Sequence, residues 1–248
     1  MIDAHCHLEK NEYNNFSSLI DDIFKEDIEL IITNGCDLPS NEEAIELSNK
    51  YQNIYAAIGF HPAFADKISD HDYCLLEEQI KNKKVIAIGE IGLDYYYNCN
   101  KDIQKRVFEK QLMIAQKYNI PVIVHNREAT SDIYSLIKKY NVRGIIHCFN
   151  ENKVWAQKFI DLGFLLGVNG IITFKNAETL RKVIKDISLE YIALETDAPF
   201  LTPAPFRGQK NSPLYLKYIC QKLAEIKENT YYEVAKQTTA NVKRLFDL

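Results

Sequence analysis

The sequence predicts an α/β fold built as a single (β/α)8, or TIM, barrel, and three observations carry that prediction. Short runs rich in Ile and Val alternate with longer stretches of helical spacing along all 248 residues, the pattern of βα units on a parallel sheet. The strand-like runs number eight; about 250 residues with eight such units suit a closed barrel, whereas a doubly wound open sheet usually has fewer strands. No shift of composition and no internal repeat beyond the βα rhythm marks a second unit, so residues 1–248 read as one domain.

The first strand, "MIDAHCHL", ends in two histidines one residue apart, so in an extended chain His5 and His7 share a face while Cys6 turns away. "LIITNG" supplies the second strand and "YAAIGFHP" the third, which ends at His61. The fourth, "VIAIGEIGLD", carries Glu90 late in its course, and a helix over "DIQKRVFEKQLMIAQKY" leads to the fifth, "PVIVHN", ending at His125. "ATSDIYSLIKKY" reads as the next helix, "RGIIHCF" as the sixth strand with His147 near its end, and "FLLGVNG" as the seventh. The eighth, "YIALETDAP", ends at Asp197 and opens into "DAPFLTPAPFRGQKNSP", an irregular stretch with four prolines whose length and position favour a functional loop. Two further helices lie near "SPLYLKYICQKLAEIK" and "TYYEVAKQTTANVKRLF".

Hydrophobic residues make up 46% and charged residues 26% of the chain, which excludes a disordered protein. The chain has no apolar run of membrane-spanning length, and its N-terminus lacks the basic and apolar regions of a signal peptide. A cytoplasmic location without membrane association is therefore expected. The formal net charge of -4 argues against a surface coated in positive charge for nonspecific nucleic-acid binding. It does not exclude a nuclease, because bound divalent ions reverse the local sign. The six cysteines stand singly, without a CxxC pair, and read as reduced thiols; Cys6 and Cys148 are expected as buried structural residues turned away from the histidines before them.

Barrel active sites lie at the C-terminal ends of the strands, and the unusual residues of this chain fall there: His5, His7, His61, Glu90, His125, His147 and Asp197. The remaining histidine, His71, is expected exposed at the start of a helix. Neutral imidazole combined with carboxylate suits zinc, manganese, cobalt or nickel, whereas magnesium prefers more oxygen ligands. Four histidines, a glutamate and an aspartate exceed the three protein ligands of one open catalytic zinc. Two divalent cations bridged by Glu90, roughly 3.5–4 Å apart, form the economical reading. The plain structural alternatives are a capping or ion-paired Glu90 and an Asp197 that caps the loop after it. Asp3 and Glu195 share strand faces with His5 and Asp197 by alternation, as orienting partners or as an internal polar network.

Taken in order, "DAHCHL", "GFHP", "GEIGLDYY", "VIVHNREA", "IHCF", "GIITF" and "ETDAPFLTPAPFRGQKNSP" resemble the signature set of the TatD family of metal-dependent deoxyribonucleases, within the amidohydrolase-like barrels. The resemblance runs nearly end to end. It implies two divalent cations, Mg, Mn or Zn, and hydrolysis of DNA phosphodiester bonds by a 3′–5′ exonuclease acting on single-stranded ends. Carried over by motif, His5, His7, Glu90 and Asp197 would hold one metal, and Glu90, His125 and His147 the second, with Glu90 and Asp197 as the catalytic carboxylates. His61, Arg127 and Arg207 are the candidates for substrate phosphate, the guanidinium groups through paired hydrogen bonds. Tyr95, Tyr96 and Tyr97 offer stacking faces to unpaired bases. DNA is the expected partner, with no obligate protein partner evident.

The chain departs from the family pattern at Asn150 and Glu151, where Ser and Gly are common, and at Asn126, Arg127 and Glu128, where Ser-Arg-Asp is common. These changes bear on substrate preference and leave every ligand candidate in place. The same barrel could serve a D-aminoacyl-tRNA deacylase or another ester or amide hydrolase. Amidohydrolases that bridge their metals with a modified lysine on the fourth strand differ from this chain, which has Glu90 there. A non-catalytic binding protein is disfavoured by the presence of all six ligand candidates.

Overall fold

Each Ile- and Val-rich run folds as a strand in the computed structural model, which describes residues 1–96 and 100–248. The strands are β1 (Ile2–Cys6), β2 (Leu30–Asn34), β3 (Ile54–Ile58), β4 (Val85–Asp94), β5 (Val122–Arg127), β6 (Gly144–Ile146), β7 (Phe164–Val168) and β8 (Ile192–Leu194). The helices are α1 (Phe16–Ile23), α2 (Leu38–Lys50), α3 (Asp70–Gln79), α4 (Lys101–Tyr118), α5 (Thr130–Ile137), α6 (Lys153–Asp161), α7 (Glu178–Asp186), α8 (Leu216–Lys227) and α9 (Tyr231–Phe246). Adjacent strands pair in parallel and in chain order from β1 to β8, which with the intervening helices makes a TIM barrel. No helix among the described residues is long and apolar enough to cross a membrane.

The seam between β8 and β1 closes just beyond the ends of the regular strands. Asp197 N–H donates to the His5 carbonyl (2.9 Å), and His7 N–H donates to the Ala198 carbonyl (2.7 Å). The buried Asp3 carboxylate stitches the same seam, accepting from Thr196 N–H (2.9 Å) and the Thr196 hydroxyl (2.6 Å). Barrel closure and the histidine pair of β1 are thus fixed by one set of hydrogen bonds.

Inside, one apolar cluster takes residues from every strand: Ile2, Ala4, Leu30, Ile32, Ala57, Ala87, Ile123, Ile145, Leu165 and Ala193. Val242, Leu245 and Phe246 of α9 complete it, and Asn241 of the same helix donates to the Ile192 carbonyl (2.8 Å) where β8 begins. The N-terminal end of the barrel is therefore plugged, and the polar residues are left to the opposite end.

Buried amides hold the strand ends that carry this polar mouth. Asn41 binds both the N–H and the C=O of Gly59 (3.0 and 3.1 Å), Gln111 does the same for Phe60 (2.7 and 3.1 Å), and Gln104 for Asp94 (2.8 Å each). A buried peptide group left unpaired is costly, so each amide both satisfies and positions the chain it holds.

Candidate metal centre

At the C-terminal mouth, His5 and His7 leave β1 with their Nε2 atoms 3.2 Å apart. Asp197 Oδ1 lies 3.4 Å from His5 Nε2 and 3.7 Å from His7 Nε2. Glu90 Oε2 lies 3.7 and 3.4 Å from the same two nitrogens. A tetrahedral ion with donor bonds of about 2.0–2.1 Å requires donor separations of roughly 3.3–3.4 Å. This donor set fits a divalent cation. Glu90, Asp94, Glu195 and Asp197 are buried here with no buried lysine or arginine among the described residues, so in the metal-free protein only the imidazoles of His7, His125 and His147, all raised, face these carboxylates as cations.

Glu90 presents its second oxygen to a different set of imidazoles. Oε1 is 2.7 Å from His125 Nδ1, 3.8 Å from His61 Nε2 and 3.9 Å from His147 Nε2. Donor atoms within 4.8 Å of one another form three groups: His5, His7 and Glu90; His5, His147 and Asp197; and His61, Glu90 and His125. His147 thus gathers with His5, whose ring stacks on it at 3.6 Å, as well as approaching Glu90. All six residues expected as ligands converge on one mouth, and His61 joins them through Glu90.

The far nitrogens of His7, His125 and His61 have hydrogen-bond partners, whereas those of His5 and His147 are buried without a straight one. His7 Nδ1 donates to the Asn34 carbonyl (3.0 Å), which turns its Nε2 to the cluster; Cys36 and Glu90 outweigh burial and raise this imidazole well above its ordinary value, so Nε2 must lose a proton to bind metal. His125 Nε2 faces Asp94 Oδ2 (3.0 Å), so His125 offers Nδ1 to the centre. His147 Nδ1 lies 3.0 Å from Glu195 Oε1, close but out of line for a straight hydrogen bond. The same oxygen accepts from Cys148 N–H (2.8 Å) and the Asn169 amide (3.1 Å). His61 Nδ1 accepts from Ala63 N–H (3.1 Å), so neutral His61 carries its proton on the Nε2 that faces Glu90.

Burial pushes the Glu90 carboxyl up, but His61, His125, His5 and His7 together hold it well below the usual range. Asp197 is likewise raised by burial and lowered further by His147 and His5, for a net shift down. Burial lowers His61 to about 4 against the pull of Glu90. His147 goes the other way, to about 9, because Glu195 and Asp197 outweigh its burial.

Backbone strain concentrates at the same mouth. Among the described residues other than glycine, seven have positive φ: Asn119, Glu128, Cys148, Asp197, Leu201, Glu228 and Asp247. Asn119, Glu228 and Asp247 end helices, where the left-handed conformation is routine. The other four follow β5, β6 and β8. Such strain persists where the surroundings over-determine the chain. Cys148, at φ 50°, is a correction to the sequence reading: β6 stops at Ile146, so strand alternation does not reach it, and it is only half-buried. Cys6, within β1, is fully buried as expected.

Asp94 and the Asn34 carbonyl were not picked out from the sequence. The signal for Asp94 was a carboxylate at the very end of the apolar β4 run, next to His125 in register through Gly92; a backbone carbonyl gives no side-chain signal. Asp3 holds the seam as a polar network, because β1 shifts register between Asp3 and Cys6 and the alternation linking Asp3 to His5 breaks there. Glu195 orients His147.

The expected substrate residues lie around the rim. Exposed Arg127 stacks on the Tyr96 ring at 3.8 Å. Arg207 stacks on Phe174 at 3.9 Å and donates to the Thr202 carbonyl (3.2 Å). Tyr95 is committed to packing and to Asp132 (2.7 Å), while Tyr96 is exposed; Tyr97 lies outside the described residues. Two of the departures from the family pattern meet through Thr130, which bonds both Asn126 (3.0 Å) and Glu151 (2.6 Å). His71 is exposed in the first turn of α3 as expected.

A (β/α)8 barrel with a buried histidine–carboxylate centre at its strand ends defines the class of barrel enzymes that work with divalent metal. Residues 2–247 match the family model described as TatD related DNase. The chain is 41% identical to the "uncharacterized metal-dependent hydrolase YabD" of Bacillus subtilis (strain 168), over 99% of this chain and 98% of that protein. It is 32% identical to the "uncharacterized metal-dependent hydrolase YcfH" of Escherichia coli (strain K12), covering 100% and 96%. Among solved structures, the TatD homologue YjjV of E. coli superposes with a TM-score of 0.92 at 29% identity, covering 100% and 98%. The protein belongs to the TatD family and is a metal-dependent hydrolase of that type.

Proposed function

We propose that the protein is a deoxyribonuclease that removes nucleotides from single-stranded DNA ends in the 3′–5′ direction, acting in the cytoplasm with two divalent cations. The observation that carries the two-cation reading is the split of Glu90: Oε2 faces His5 and His7 while Oε1 faces His125, His61 and His147. A carboxylate so divided suits a bridge, with His5, His7 and Asp197 on one side and His125 and His147 on the other. The family model's description as a DNase supports the phosphodiester as the bond attacked. The rim cations Arg127 and Arg207 fit a polyanion.

Bound divalent cations would supply polarisation of the phosphodiester and a nucleophilic water at neutral pH. Asp197, held ionised by His147 and His5, accepts the proton of the attacking water at its carboxylate. His61, neutral and fixed with its Nε2–H toward the centre, donates a hydrogen bond to a phosphate oxygen. Glu195 and Asp94 keep His147 and His125 in the orientation the centre needs.

The test is hydrolysis of a single-stranded DNA labelled at its 3′ end by chelator-treated protein supplied with Mg²⁺, Mn²⁺ or Zn²⁺, with a D-aminoacyl-tRNA in parallel. Metal-dependent release of the label, absent in His125→Ala, is the expected result. Intact DNA together with loss of the aminoacyl group would move the activity to ester hydrolysis.

A further inference from the structure

Phe200 is an apolar ring left in solvent beside the metal centre. It is 60% exposed, and its centroid lies 6.1 Å from that of His7 with the rings at 69°. The backbone that carries it is firmly held. Phe200 N–H donates to the Asp197 carbonyl (2.8 Å), and the Phe200 carbonyl accepts from the amide of Asn211. Asn211 is itself fully buried, donating its amide to the Thr196 carbonyl (2.8 Å) and its N–H to the Pro199 carbonyl (3.1 Å). The loop is therefore anchored at the peptide level while the side chain stays uncovered. A large apolar ring on a pinned backbone, three residues after a proposed metal ligand, is a preformed face awaiting another flat, apolar face.

We propose that Phe200 is the stacking platform for the nucleobase next to the scissile phosphate, and so determines the preference for unpaired ends. The inference rests on the nuclease reading above and names the group that the reading leaves unassigned. Anchoring through Asp197 and Thr196 ties the ring to the segment that carries the proposed base. A nucleobase on that ring keeps its own phosphate next to His7 and Asp197. In a duplex each base is held by its pair and stacked on at least one neighbour, so the nucleotide beside the scissile phosphate can turn onto the platform only when it is unpaired or frayed. Stacking of this kind tolerates every base, because each has a π-face.

The experiment compares wild type, Phe200→Ala and Phe200→Trp on two single-stranded oligodeoxynucleotides, one intact and one abasic at the nucleotides flanking the cleaved bond. Stacking is worth about 1–3 kcal/mol per base, so Phe200→Ala should lose roughly 5- to 150-fold in kcat/KM on the intact strand, chiefly through KM. Phe200→Trp should restore it, with metal content equal in all three proteins. On the abasic strand the wild type should fall to the level of the alanine variant. Equal losses on both strands would mean that Phe200 supports the loop and not the base, and equal rates everywhere would mean that the ring touches no substrate; either overturns the proposal while leaving the nuclease reading intact. Wild-type protein that cleaves neither strand with any metal overturns both.

Discussion

Loading the centre with metal must expel protons, and His147 sets the scale. Burial lowers this imidazole, but Glu195 and Asp197 raise it to about 9 in the metal-free protein. At pH 7.5 it is therefore protonated in more than roughly nine molecules in ten. A metal ligand must be neutral imidazole, so a metal bound through His147 would displace close to one proton from it at that pH, and His7 and His125, also raised, would add to the release. Affinity should rise about tenfold per pH unit up to pH 9, or on the order of 100-fold between pH 7 and 9 from this residue alone. Stability of the metal-free chain runs the opposite way. The folded value lies above the unfolded value of about 6.5, so the contribution is fully present below 6.5 and is lost as pH rises through about 9, a change of about 3 kcal/mol. Isothermal titration of chelator-treated protein with Mn²⁺, in buffers of different ionisation heat at pH 7, 8 and 9, measures both proton release and affinity. Buffer-independent heats with a flat affinity would refute the reasoning, showing that His147 is neutral when free or does not bind the metal.

Glu195→Gln should lower the pH at which His147 titrates toward 6.5, read by NMR of a histidine-labelled, metal-free sample; an unmoved titration would remove Glu195 as the cause. Gly167→Ala acts on the same carboxylate from the other side, since a Cβ there would overlap Glu195 Oε2, and overpacking should cost about 1–3 kcal/mol as a lower urea midpoint. An unchanged midpoint would mean that the carboxylate yields freely. Gln104→Leu strips the Asp94 N–H and C=O of their partners; at about 1–3 kcal/mol for each unpaired buried group, the loss should reach at least about 2 kcal/mol by urea unfolding. A smaller loss would mean that water replaces the amide.

The barrel was legible because its strands are short β-branched runs at regular intervals; four ligand candidates stood out because histidine is scarce, and Glu90 and Asp197 because a carboxylate is out of place in an apolar run. Strand-end position worked better than alternation: Glu90, read as late in the fourth strand, reaches the mouth although β4 shifts register between Ile88 and Ile91 around it. Alternation failed where regular pairing stopped or slipped. His147 lies one residue beyond β6 and Asp197 three beyond β8, placed by loop hydrogen bonds that no periodicity encodes. The register shift in β1 likewise separates Asp3 from the face of His5. Nor could the sequence say which oxygen of Glu90 meets which imidazole, since that depends on side-chain rotation in a shared cavity.

The seam between β8 and β1 sets an order on biosynthesis. The free edge of β1 gains its partner only when Asp197 and Ala198 exist to exchange hydrogen bonds with His5 and His7. On a ribosome working at about 5–20 residues per second, roughly ten to forty seconds separate the two segments. Throughout that interval the nascent chain carries an unpaired apolar edge of the sort that invites strand-to-strand association. The same delay means that no shorter nascent chain can assemble the metal centre, so the first moment at which metal can be gripped from both sides coincides with the closing of the ring.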